Sequence, residues 1–133
     1  MDVVILVGRI MFAGLFLAAA LGHLARTNEM ARFAASRGVP QPHVATLVSG
    51  LMIAAGALMV LLGIWADLGA LFLFVFLMGT TLLVHRFWWE TGDRRLQVQT
   101  QFMKDLALAG ASLMLFAFFA TTDVGLTLTG PLF

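Results

Sequence analysis

Four long apolar runs restrict the fold of this chain more than any other feature of its sequence. They cover residues 3–24, 44–64, 68–84 and about 106–122. A helix needs about 20 residues to cross about 30 Å of hydrocarbon, and about 17 residues is the lower limit. Because 61% of the residues are hydrophobic and only 11% are charged, the chain lacks the polar surface of a water-soluble domain. The sequence therefore predicts a single all-α domain over residues 1–133, an integral membrane four-helix bundle.

The basic residues are concentrated in two of the three connections between these runs. Seven of the eight lysines and arginines lie there: Arg26, Arg32, Arg37, Arg86, Arg94, Arg95 and Lys104. The turn at Asp67 and the stretch after Asp123 contain none. Short loops that are rich in lysine and arginine stay in the cytoplasm. We therefore expect both termini to lie on the outer, periplasmic side of a bacterial inner membrane.

The first basic connection contains a short helix of its own. Asn28 is a residue type that caps helices, and Gly38 is positioned to end one. Met30 and Phe33, which lie between them, fall on one apolar face. Two interpretations fit this pattern. The helix lies in the membrane interface with its apolar side in the acyl boundary, or it is an ordinary connecting helix that packs on the bundle.

Composition argues against several classes of function. The net charge of +1 gives no basis for nucleic-acid binding. The absence of cysteine excludes disulfides, thiolate metal sites and dithiol redox chemistry in this chain. His23, His43 and His85 fall at the same end of the first three spans, and neutral imidazoles there are able to ligate a metal or a b-type haem. None has a close ligand spacing such as i, i+4, so we expect no metal site and no intrinsic cofactor.

Arg9 lies inside the first span, about 10 Å from its outer end at 1.5 Å per residue. An arginine within the membrane costs at least about 2.5 kcal/mol on insertion scales, so it normally has a partner or lies in a hydrated cavity. One interpretation is that Arg9 extends to the outer headgroups, beside Asp2, Asp67 or Asp123. The other is that it binds a ligand within the bundle.

Polar and aromatic residues converge at the cytoplasmic ends of the spans. The candidate binding residues are His23, His85, Arg86, Trp88, Lys104 and Asp105. Histidine exchanges a proton near neutral pH, arginine and lysine hold oxygens, and tryptophan provides a flat apolar wall. This combination suits the polar head of an amphipathic molecule, such as a quinone or a lipid. The alternative is a belt of aromatic and basic residues that anchors the bundle at the headgroups.

An ordered set of motifs runs through most of the chain and links it to a known family. The motifs are Gly8-Arg9, Gly22-His23-Leu24, residues 33–40 (FAASRGVP), Ser49-Gly50-Leu51, residues 83–88 (LVHRFW) and residues 101–110 (QFMKDLALAG). In this order they resemble the DoxX family of small four-helix membrane proteins. The resemblance implies a multi-pass protein of the bacterial inner membrane. Some members look like the small membrane subunit of thiosulfate:quinone oxidoreductases, and others accompany redox enzymes or their maturation.

Two positions depart from the pattern of that family. Ile53 occupies a place where many relatives have a glutamate within Gly-Leu-x-Glu-x-x-Gly, and Asp105 stands where asparagine is common after the lysine. The missing glutamate removes a partner for Arg9 or a proton acceptor. The resemblance therefore does not imply that the chain is catalytic by itself.

Three functions from different classes are consistent with these residues and this resemblance. The favoured one is a small membrane accessory subunit of a larger redox complex, next to the quinone of that complex. The second is a quinone-reactive oxidoreductase subunit that takes electrons from a partner. The third is a lipid- or small-solute-binding membrane protein without a redox role. The expected partners are membrane lipid, the protein subunits of a redox complex and a bound quinone.

The predicted orientation is testable because the chain contains no cysteine. In intact cells, an Arg94→Cys variant should be protected from a membrane-impermeant maleimide, because residue 94 lies in a basic connection. A Thr127→Cys variant should be labelled. The reverse pattern would contradict the orientation and transfer the histidines to the outer face.

Overall fold

The computed structural model describes residues 1–133 and contains helices but no strands. The helices are α1 (Asp2–Ala25), α2 (Thr27–Ser36), α3 (Pro42–Leu62), α4 (Ala66–Leu83) and α5 (Gly92–Thr121), with a short 3-10 helix at Phe87–Trp89. Four of these, α1, α3, α4 and α5, are long and apolar enough to cross a membrane. The predicted all-α class is therefore confirmed, and four helices have the length and composition that the predicted spans require.

The four long helices pack in the order α1, α3, α4, α5. Each contacts the next, whereas no Cα atom of α1 comes within 8 Å of α5. Ile53, Val60 and Leu73 are fully buried where α3 meets α4. We call the end formed by α2, residues 84–91 and the start of α5 the basic end. The opposite end, formed by the start of α1, the α3–α4 turn and residues 122–133, is the tail end.

The contact between α3 and α4 depends on two glycines. A Cβ atom added to Gly56 would lie 2.8 Å from the carbonyl oxygen of Gly69. One added to Gly69 would lie 2.6 Å from the Cβ of Met59. Real Cβ atoms do not approach so closely, so the two helices are able to pack at this distance only because both positions lack a side chain.

The last helix is much longer than the apolar run that predicted it. It begins at Gly92, well before residue 106, and Thr91 occupies its N-cap position. Asp93 lies in its first turn, where a negative charge interacts favourably with the helix dipole. Hydropathy marks the part of a helix that prefers lipid and does not mark the polar turns that continue it. In addition, α4 ends at Leu83, so His85 follows this helix and is not in its last turn.

The predicted helix in the first connection exists as α2, but its predicted cap is wrong. Arg26, and not Asn28, occupies the N-cap position, because α1 and α2 are separated by this one residue. The Thr27 hydroxyl donates a hydrogen bond back to the carbonyl of His23 at 2.8 Å. The predicted end is correct. Gly38 has a φ of +78°, a left-handed conformation that glycine adopts without strain.

Arg9 lies in α1 near the tail end and is buried, with only 3% of its surface exposed. Its Nε donates to the carbonyl of Val60 at 2.8 Å, and its terminal nitrogens donate to Leu61 at 2.6 Å and Leu126 at 2.8 Å. The last carbonyls of a helix have no partner within the helix, and Val60 and Leu61 belong to the last turn of α3. Arg9 therefore joins α1 to the end of α3 and to the tail.

The interpretation that placed Arg9 beside Asp2, Asp67 or Asp123 is not what the structure shows. The partners of the guanidinium are backbone carbonyls, and no carboxylate lies within ion-pair distance of it. Gly63, just after α3, makes this arrangement possible. Its φ is +66°, and a Cβ atom there would lie 2.7 Å from a terminal nitrogen of Arg9.

The tail folds across this end of the bundle and forms hydrogen bonds with α4. Asp67 is fully buried, and its Oδ2 accepts the backbone N–H groups of Leu132 and Phe133 at 2.8 Å each. The Leu128 N–H donates to the carbonyl of Gly63 at 3.1 Å. Buried backbone groups need such partners wherever water is excluded. Arg9 and Asp67 thus hold the tail from two sides.

We predict that Arg9→Leu destabilises the bundle, because it leaves three carbonyls at the tail end without a donor. Removing the partner of a buried acceptor costs about 1–3 kcal/mol. Thermal unfolding in mild detergent should show a clear decrease for Arg9→Leu, a smaller one for Arg9→Lys, and almost none for the exposed Arg32→Leu. A higher unfolding temperature for Arg9→Leu than for the wild type would refute the structural role.

Candidate functional site

A cavity of about 420 Å³ lies at the basic end, between the long helices and α2. Fifteen of its 23 lining residues are hydrophobic, and such an apolar majority is typical of pockets for organic molecules. Its volume also lies within the range of about 300–1,000 Å³ for such pockets. The polar residues of the lining are His23, Thr46, Ser49, Thr80, His85, Lys104 and Asp105. The cavity is therefore an apolar chamber with a small number of hydrogen-bonding groups.

His85 and Asp105 form a direct pair in the wall of this cavity. The distance between Nδ1 of His85 and Oδ2 of Asp105 is 2.7 Å, and Asp105 is 5% exposed. The carbonyl of Thr80 accepts the N–H groups of both Val84 and His85, which places His85 immediately after the end of α4. Asp105 approaches it from the inner face of α5. The pair thus joins α4 to α5 at the level of the cavity.

Lys104 lies next to this pair, and its hydrogen bond is to a different residue. Its Nζ donates to Oε1 of Gln101 at 2.6 Å, and the side chain is about half exposed. The same nitrogen is 3.8 Å from Oδ1 of Asp105. The two oxygens of Asp105 therefore have different neighbours, an imidazole at hydrogen-bonding distance and a more distant ammonium group.

His23 provides a second imidazole, from α1. Its Nδ1 is 3.0 Å from the hydroxyl oxygen of Ser49, and that hydroxyl donates its own proton to the carbonyl of Thr46 at 3.0 Å. Since the serine proton is already used, His23 is the donor in the first of these hydrogen bonds. A Cβ atom on Gly50 would lie 2.9 Å from the Cβ of His23, so this glycine allows α1 and α3 to approach here.

Two of the six candidate residues do not line the cavity. Arg86 stacks over Trp89, with its Cζ 4.0 Å from the ring centre, and it donates to the carbonyl of Arg37 at 2.5 Å. Trp88 packs edge-on against the ring of Phe102 at 5.8 Å. His43, which the sequence places at the same level, is exposed on α3. The structure therefore brings together His23, His85, Lys104 and Asp105, and it places the other candidates outside the chamber.

Sequence reasoning missed a contact that closes the basic end. Arg37, just after α2, donates through Nε to the carbonyl of Val84 at 2.7 Å and forms an ion pair with Glu90. Arg94 is 3.3 Å from the same carboxylate. The Arg37–Glu90 contact fixes the end of α2 to the α4–α5 connection. Its partners are 53 positions apart in sequence, so no local pattern could have indicated it.

Among histidine, cysteine, aspartate and glutamate residues, no group of three or more lies in an arrangement that could hold a metal ion. The converging groups of the cavity are instead paired with each other or with serine and glutamine. Each of these four side chains therefore has at least one hydrogen-bond partner within the protein.

Comparison with known proteins identifies the family. The DoxX family model matches residues 4–86, which is well over half of the chain. The chain belongs to the DoxX family. It is also similar to the inner membrane protein YphA of Escherichia coli (strain K12), with 29% identity over 114 residues, 85% of this chain and 81% of YphA. No solved structure matches the chain.

The resemblance found in the sequence is thus confirmed, and the protein is a multi-pass protein of the inner membrane. DoxX proteins are associated with redox-related proteins of the membrane. The matched residues include His23 and His85 but end before Lys104 and Asp105. Asp105, one of the two departures from the family pattern, is the residue that pairs with His85.

The Arg37–Glu90 contact should make the thermal stability of the protein depend on pH. The hydrogen bond from Arg37 lowers the pKa of Glu90, partial burial opposes this effect, and the charges of Arg94 and Arg37 add to the lowering. Because the pKa is lower in the folded protein, the stabilisation is complete above the ordinary glutamate pKa of about 4.3 and is lost as the pH falls through the lowered value. Thermal unfolding should show Glu90→Gln as less stable than the wild type at pH 7, with the difference decreasing below about pH 4.3. A difference that stays constant down to pH 3 would contradict this assignment.

Proposed function

We propose that this DoxX-family protein is a small accessory subunit of a larger redox complex in the inner membrane, and that it holds a molecule of the quinone class in its cavity. The observation that supports this most directly is the apolar chamber of about 420 Å³ with the His85–Asp105 pair in its wall. A quinone or hydroquinone needs an apolar volume for its ring and tail and a few polar groups for its two oxygens. Histidines from α1 and from the end of α4 supply those groups on different walls.

The packing of the helices supports access from the lipid. No Cα atom of α1 lies within 8 Å of α5, so these two helices do not pack closely against each other. Leu15 and Phe16 of α1 and Leu108 of α5 line the cavity on the two sides of the seam between these helices. An isoprenoid or acyl tail would leave the chamber between these apolar side chains and enter the bilayer.

We also propose that the cavity is on the cytoplasmic side and that both termini are periplasmic. The seven basic residues outside α1 all belong to α2, to its flanking residues, to the α4–α5 connection or to the first turns of α5. Retention of lysine and arginine in the cytoplasm supports this orientation. The ligand head would then lie at the cytoplasmic boundary of the hydrocarbon.

An accessory role is favoured over independent catalysis by the chemistry of the groups in the chamber. Imidazole, ammonium, carboxylate and hydroxyl groups exchange protons and hydrogen bonds, whereas electrons are transferred by cofactors or thiols. The chain contains no cysteine. In the alternative, a quinone-reactive oxidoreductase subunit, the same cavity would serve and a partner protein would deliver the electrons.

The cavity offers a matched pair of variants for the test. Gly79 lines the chamber, and a Cβ atom added to it meets nothing within 4 Å, so a large side chain there extends into free space. Gly110 of α5 is equally free of neighbours but does not line the chamber. Gly79→Phe should therefore fill the cavity without disturbing the fold, and Gly110→Phe is its control.

We predict that Gly79→Phe reduces the quinone retained per protein after gentle purification from the native membrane by about tenfold or more, a loss of about 1.4 kcal/mol in binding. Gly110→Phe should retain as much as the wild type. A redox enzyme that co-purifies in fixed stoichiometry with the wild type would support the accessory role. Equal quinone retention in all three proteins would refute the cavity as a quinone site, and retention of phospholipid alone would favour the lipid-binding alternative.

A further inference from the structure

We propose that the cavity is selective for the reduced, hydroxyl-bearing form of its ligand, a hydroquinone or a related amphipathic phenol, and that Nε2 of His85 accepts the hydroxyl proton. This inference rests on the proposed function and deepens it. It assigns the polarity of the site, that is, which of its groups accept hydrogen bonds from the ligand and which donate them. It follows from the two imidazoles that line the chamber and from the partners that each has already engaged.

The partner of His85 determines which of its nitrogens is free. An ionised carboxylate only accepts hydrogen bonds, so the 2.7 Å contact with Asp105 requires the proton of the neutral imidazole to be on Nδ1. Nε2 then has a lone pair and no proton. It forms no hydrogen bond within the protein, although the residue lines the cavity. His85 therefore presents an acceptor to a bound molecule.

The neutral ring of His23 also has its proton on Nδ1, but the group that fixes it there is a hydroxyl and not a carboxylate. The hydroxyl of Ser49 donates to the carbonyl of Thr46, so it accepts from Nδ1 of His23. In the neutral ring, Nε2 is again the acceptor nitrogen. Two walls of the chamber thus present acceptors, and a ligand with two hydroxyl groups provides one donor for each. The carbonyl oxygens of an oxidised quinone are acceptors too and would leave both nitrogens without a partner.

The proton transfer is simple in its chemistry. The O–H bond of the phenol breaks, an N–H bond forms at Nε2 of His85, and the electron pair stays on the phenolate oxygen. The carboxylate of Asp105 stabilises the imidazolium that results, which makes Asp105 a positioning residue. The other titratable groups of the lining are His23 from α1 and Lys104 from α5, and the lining residues of α2 and α3 are not titratable. The ammonium group of Lys104 is a favourable neighbour for a phenolate.

A stable probe pair tests this polarity without any redox step. The probes are 2-nonyl-4-nitrophenol and its methyl ether, which differ in the hydroxyl proton and share the apolar tail. The absorbance of the nitrophenol also reports whether it is ionised. Binding of both to the intact protein in detergent should be measured for the wild type, His85→Gln, Asp105→Asn and Gly79→Phe.

We expect the wild type to bind the phenol about tenfold or more tightly than the ether, since a charge-assisted hydrogen bond changes affinity by at least that factor. The bound phenol should ionise at lower pH than it does in empty micelles. His85→Gln should show a clearly smaller preference for the phenol, because only the acceptor nitrogen of His23 and a neutral amide oxygen remain. In Asp105→Asn the amide both donates and accepts, so the tautomer of His85 is no longer fixed and the preference for the phenol should decrease while ether binding remains.

The possible failures are distinguishable. If neither probe binds, or if Gly79→Phe binds both as well as the wild type does, the proposed cavity function is wrong. If both probes bind in the cavity with equal affinity in the wild type, only the assigned polarity is wrong. A phenol preference that persists unchanged in both His85→Gln and Asp105→Asn would also overturn the assignment to this pair.

Discussion

The hydrogen bonds from Arg9 to the carbonyls of Val60, Leu61 and Leu126 determine how the tail end is built. Backbone groups at membrane depth need partners within the protein, because hydrocarbon offers none. α3 ends at Leu62, and without Arg9 its last turn would present bare carbonyls to an apolar surrounding. One guanidinium, with five N–H donors in a fixed plane, meets this need and joins α1, α3 and the tail. The cost of placing a charge inside the first span is offset by these contacts.

The two ends of the bundle differ in how completely their polar groups are paired. At the tail end, the guanidinium of Arg9 and Oδ2 of Asp67 are bonded to backbone groups of the chain, the buried Oδ1 of Asp67 has no partner, and little space remains. At the basic end, Asp105 and Ser49 engage one nitrogen of each cavity histidine and leave the other without a protein partner. The Arg37–Glu90 contact meanwhile fixes α2 beside the chamber. This arrangement, with a fixed frame around unpaired acceptors and free volume, is typical of a binding site and unlike a packed core.

The features that depend on lipid preference were predictable from sequence, whereas those that depend on tertiary pairing were not. Apolar runs located the four helices that are long and apolar enough to cross a membrane, and ordered motifs identified the family. The start of α5 at Gly92 was missed because its first turns are polar, although they are helical. The sequence placed His85 and Asp105 at one level but gave no reason for their contact, which depends on where α4 ends and how α5 is rotated. Arg86 and Trp88 were grouped with them by proximity in sequence, yet their partners are Trp89, Arg37 and Phe102.

The early start of α5 has a mechanical consequence. Residues 92–101 add ten residues of helix ahead of its apolar part, a rise of about 15 Å at 1.5 Å per residue. Nearly all of their side chains are exposed. Because the helix is continuous from these polar turns through Asp105, a sideways force on the exposed segment would be transmitted to Asp105. A tilt of this segment about the buried part of the helix would therefore also move Asp105 relative to His85.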